Sequence, residues 1–77
     1  MRLGKLLARY REAAGIAQAE AARLAGVDRS HLSRVETGRD RRVPSAALIE
    51  TLAGLYGLRK TETMALHRMR AAALNRG

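Results

Sequence analysis

Cysteine is absent from this 77-residue chain, and so are Phe and Trp. The first absence excludes disulfides and thiolate metal sites. The second leaves the core to Leu, Ile, Val, Ala and two tyrosines, Tyr10 and Tyr56. Acid is scarce: seven Asp+Glu stand against fifteen Lys+Arg, for a net charge of +8. No run nears the roughly 18 apolar residues that a membrane span needs. The start Met1-Arg2-Leu3-Gly4-Lys5 lacks the apolar stretch of a signal peptide. His31 and His67 lie far apart, which argues against a histidine metal cluster. Glu36 has no second carboxylate at a catalytic spacing, and neither a Ser-His-acid set nor a phosphate-cradling Gly loop occurs. The expectations are a single domain over residues 1–77, a cytoplasmic location, no cofactor, no metal, no small-molecule ligand, no membrane partner and no enzymatic activity.

What is present is basic charge. A balance of +8 on so short a chain favours a polyanionic partner. Most of the cations are Arg, and Ala is abundant, which a GC-rich genome would also produce. Charge alone leaves the partner open; its placement along the chain says more.

Gly and Pro punctuate a series of short helical patterns, and no segment alternates with the period of a strand. Leu3, Leu6, Leu7, Tyr10 and Ala14 form a stripe that predicts a helix over about 2–14, with Gly15 as its stop. A short Ala-rich helix is expected over 18–25, ended by Gly26. Asp28 is placed to N-cap a third helix through its carboxylate, running to about Thr37 before Gly38. Pro44-Ser45 opens a fourth, with Ser45 as N-cap and Leu48, Ile49, Leu52, Leu55 and Tyr56 as its apolar face. Thr61 is expected to cap a fifth, to about Leu74, where Ala65, Leu66, Met69, Ala72 and Ala73 share a face. That face could pack on its own domain or on a second subunit. The fold class is therefore all-α, a compact bundle of five short helices.

Residues 18–35 read as one unit. A small residue at Ala22 lets the second and third helices cross closely. Gly26 can take the left-handed conformation that a tight turn between them requires. Leu32 and Val35 anchor the third helix inward, which leaves Arg29, Ser30, Ser33 and Arg34 outward.

The stretch REAAGIAQAEAARLAGVDRSHLSRVETGR resembles the phage Cro and repressor type of helix-turn-helix, also called the xenobiotic-response-element family. The resemblance covers about residues 2–58, with the helix-turn-helix itself at 18–37 and the C-terminal helix, about 61–74, beyond it. Within the chain, AQAEAARLAGVDRSHLSRVETG carries the match in spacing and residue type. Two positions depart from the pattern. Ala21 stands where the family has Leu, and the loop Arg39-Asp40-Arg41-Arg42-Val43 is longer than usual.

The resemblance implies a lambda-repressor-like DNA-binding fold and assigns roles. Arg29, Ser30 and Arg34 fall where the family reads base edges; an Arg can donate a bidentate pair to guanine, worth roughly 1–3 kcal/mol of discrimination. Gln18 falls where a side-chain amide meets a phosphate. Ser33 is either a phosphate contact or a solvated hydroxyl. Arg39, Arg41 and Arg42 form a basic loop that would clamp the backbone. Arg11 and Glu36 fall where the family pairs its first and third helices. The function implied is sequence-specific binding of double-stranded DNA by a transcriptional regulator, first of all a repressor, acting as a homodimer on an inverted repeat in a bacterial or phage cell. Control would come from expression level, proteolysis or a partner protein. The alternative is an antitoxin or adaptor that uses the same fold mainly to bind another protein.

Overall fold

The computed structural model describes residues 2–39 and 43–75. Five helices follow in order: α1 (Arg2–Ala13), α2 (Gln18–Ala25), α3 (Arg29–Thr37), α4 (Ala46–Leu55) and α5 (Lys60–Asn75). There is no strand among the described residues. The fold is all-α, as the apolar spacing predicts.

The core forms where the apolar stripes meet. Leu3, Leu7, Leu32, Ile49, Leu52 and Leu66 are fully buried, so every helix except α2 contributes a large side chain. From α2 come Ala21 and Ala22, both buried. Their size lets the α2 backbone lie close to α3 and α4, the two helices it packs on. α1 packs on α3, and α5 spans α4 and α1.

Sequence chemistry also explains how closely α1 approaches α3. A Cβ on Gly4 would sit 2.0 Å from the carbonyl oxygen of Val35. Only glycine allows α1 to rest on the α3 backbone there. The turn between α2 and α3 depends on Gly26, which has φ 72° and closes α2 by accepting the left-handed conformation. The next amide, that of Val27, donates to the Ala22 carbonyl at 3.0 Å.

Helix starts agree with expectation at one place and differ at two. The Ser45 hydroxyl accepts the Leu48 amide at 3.1 Å, as an N-cap should. Asp28 occupies the N-cap position of α3 with extended backbone, but its side chain makes no capping bond. Thr61 is not a cap: it is the second residue of α5. There the Glu62 carboxylate reaches back to accept the Arg59 amide at 2.8 Å, so an acid one turn in holds the helix start.

α5 is held by polar contacts as well as by Leu66. The Arg70 guanidinium donates to the Pro44 carbonyl at 2.9 Å, and His67 bonds to Glu50 of α4. Of the predicted α5 stripe, Leu66 is buried and Met69 packs on the core, while Ala72 is exposed.

Candidate nucleic-acid interface

α3 has two unlike sides. Leu32, Val35 and Glu36 are buried. Arg29, Ser30 and Arg34 are exposed, and Ser33 is half-buried between them. At about 100° per residue, these four residues and Thr37 share the side of α3 that faces away from the core. Thr37 is exposed, and its hydroxyl donates to the Ser33 carbonyl at 2.9 Å. Its place on this face is readable from its spacing to Ser33 and Arg34.

The buried charge is handled differently from the exposed ones. The side chain of Glu36 is 5% exposed and that of Arg11 12%. Arg11 Nε donates to Glu36 Oε2 at 2.8 Å, and Nη2 donates to Oε1 at 3.2 Å. This is the bidentate fork that a planar guanidinium can make with a carboxylate. Arg11 Nη1 donates to the Ile16 carbonyl at 2.8 Å, so the same side chain also fixes the α1–α2 loop. Gln18 Nε2 adds a third bond to Glu36, to Oε1 at 2.9 Å. One carboxylate on α3 thus ties together the end of α1 and the first residue of α2.

Electrostatics follow from this packing. The hydrogen bond to Glu36 raises the pKa of Arg11 further above its ordinary value, against the opposing effect of burial. Tyr56 is buried, and its hydroxyl has no hydrogen-bond partner among the described residues. Burial, helped by the nearby charge of Glu36, pushes its pKa up to about 12.

The network also brings Gln18 up to α3, at the start of α2. N-cap Ala17 has no side-chain acceptor for the first-turn amides. The bond from Gln18 to Glu36 crosses 18 positions of sequence, and local spacing carried no signal of it. Arg39, next to the α3 cap residue Gly38, is exposed. Arg41 and Arg42 lie outside the described residues.

The profile of a helix-turn-helix domain family matches residues 2–66. The match covers most of the chain, α1 to α4 and the first turns of α5, so this protein belongs to that helix-turn-helix family. Membership makes DNA binding in transcriptional regulation its class of function. No curated protein and no solved structure gave a significant match.

Proposed function

We propose that this protein reads double-stranded DNA by seating α3 in the major groove, as a Cro/repressor-type regulator. Arg29 and Arg34 reach guanine edges, each worth roughly 1–3 kcal/mol of discrimination, and Ser30 adds a weaker base contact. Gln18, Ser33 and Arg39 meet backbone phosphates, with Arg41 and Arg42 extending the clamp. Such phosphate contacts fix the register without reading sequence. Two protomers bind the half-sites of an inverted repeat, whose centres lie about 10 base pairs apart or a multiple of that. Bound at a promoter, the pair represses by occlusion, which needs no further surface.

The observation that carries this reading is the exposure of Arg29, Ser30 and Arg34 on a helix whose opposite side is buried and cross-braced. A groove-reading helix needs that division. Its arginines must be available, and its position must not shift by a fraction of an ångström when they bind.

The test is selection of bound sites from random duplex DNA at moderate salt. The expected product is a motif with G·C pairs in each half-site and dyad symmetry. Failure to enrich any sequence would overturn the reading.

A further inference from the structure

A second surface lies on the other side of α1. Arg2, Lys5, Arg9 and Glu12 are spaced 3, 4 and 3 apart and share one side of the helix. Gly4, Leu7 and Arg11 share the side turned to α3, with Gly4 against the Val35 carbonyl and Arg11 bonded to Glu36. At about 100° per residue the two stripes centre roughly 150° apart. The stripe of Arg2, Lys5 and Arg9 therefore points away from α3 and from any duplex that α3 enters.

This stripe, with Leu6 and Ala8 on either side of it and Met69 of α5, lines an open groove of about 570 Å³. Leu6, Ala8 and Met69 supply its apolar lining. These three are half-buried, whereas Arg2, Lys5, Arg9 and Glu12 are exposed at the rim. None of the three cations forms an ion pair among the described residues. The rim thus carries three positive charges against one negative.

We infer that this groove docks an acidic amphipathic helix of a partner protein, with apolar side chains set on Leu6 and Met69 and flanking carboxylates on Arg2, Lys5 and Arg9. Helix-in-groove recognition uses apolar anchors repeated at helical spacing. Complementary charge at the rim speeds encounter and excludes wrong partners. Other occupants fit the chemistry less well. A second copy placed here by two-fold symmetry would bring the same cations face to face. A lipid surface requires apolar groups that project beyond the charged ones; here they lie beneath them. A small molecule needs most of its surface enclosed, and a rim of exposed long side chains does not enclose it. The surface goes beyond the DNA reading and does not depend on it.

The test uses the full chain, without DNA, and a fluorescent designed helix of about 16 residues with Leu at i, i+3, i+4 and i+7 and Glu beside them. Saturable binding is expected, at least about tenfold tighter than for the same peptide with Lys in place of Glu. Amide shifts should concentrate on residues 2–12 and 66–73. The double variant Lys5→Glu/Arg9→Glu, shown to be folded by circular dichroism, should weaken the peptide by about tenfold or more. Its affinity for selected DNA at 0.15 M salt should change by less than about threefold, because the screening length there is about 8 Å. Absence of saturation, equal affinity for the Lys peptide, or shifts concentrated on α3 would overturn the assignment. So would loss of self-association or of anionic-vesicle binding as the main effect of the double variant. The peptide measurements do not bear on whether α3 binds DNA, which the site selection tests separately; a loss of DNA affinity in the double variant as large as its loss of peptide affinity would also overturn the assignment.

Discussion

The inward and outward sides of α3 both carry charge, but they use it oppositely. Inward, Glu36 is buried and accepts three hydrogen bonds from two side chains. Outward, Arg29 and Arg34 are exposed. A buried carboxylate has lost its water and must be fully paired. It then works as a fastener, because any displacement of α3 breaks the fork to Arg11. An exposed guanidinium keeps its water and adds little to stability, so its donors remain available to a ligand. The inner side of the helix thus holds position and the outer side makes contact.

Substitutions on the inner side should cost folding and those on the outer side binding. The largest loss is expected from Gly4→Val, since a Cβ there collides with the α3 backbone, which cannot turn aside as a side chain can. Overpacking against backbone should remove about 3 kcal/mol or more, or prevent folding, measured by urea denaturation. Glu36→Ala should follow, at about 3–5 kcal/mol, because it strands a desolvated Arg11 and frees Gln18. Glu36→Gln keeps the shape and should cost less. If Glu36→Ala left stability within about 0.5 kcal/mol of the parent, the brace would be no fastener.

On the outer side, Arg29→Ala and Arg34→Ala should each change stability by less than about 0.5 kcal/mol. Each should reduce discrimination between the selected site and random duplex by about 5- to 150-fold, read by competition titration. The smallest effect at neutral pH concerns Tyr56, whose influence grows only in alkali. Its folded pKa, about 12, stands above the ordinary tyrosine value. The folded state therefore holds this proton more tightly than the unfolded chain. The associated stability is complete below about pH 10 and is lost as pH rises toward 12, by about 2 kcal/mol. Tyr56→Phe should flatten that decline in denaturation curves taken from pH 9 to 12. It should cost little at pH 7, since the hydroxyl it removes has no partner among the described residues.

Much of the architecture was legible because it rests on local pattern. Apolar spacing located all five helices, and Gly26 marked the α2–α3 turn through a conformation that other residues resist. Arg29, Ser30 and Arg34 were legible as outward residues once Leu32 and Val35 were taken as inward. What was not legible falls into two kinds, distant partners and local cap geometry. Gly4 is a glycine inside a helical stripe, and that was its only signal. The need for it comes from Val35, 31 positions away. The bond from the Gln18 amide nitrogen to Glu36, 18 positions away, likewise had no local signal. Asp28 and Thr61 satisfy the composition rule for caps, but a cap is a hydrogen bond. At α5 the start is held instead by Glu62, which accepts the Arg59 amide. Composition identified candidate groups; the packing of distant segments set the partners of Gly4 and Gln18, and local geometry set those at the helix starts.

Guanine-N7 methylation interference on the selected site tests the outward side of α3 most directly. Methylation at one or more guanines in each half-site should block binding by the parent protein. The block at a given guanine should disappear with either Arg29→Ala or Arg34→Ala, because the donor that needed N7 is gone. Binding indifferent to N7 methylation, with a footprint unaltered by both substitutions, would contradict the assignment of α3 as the reading helix.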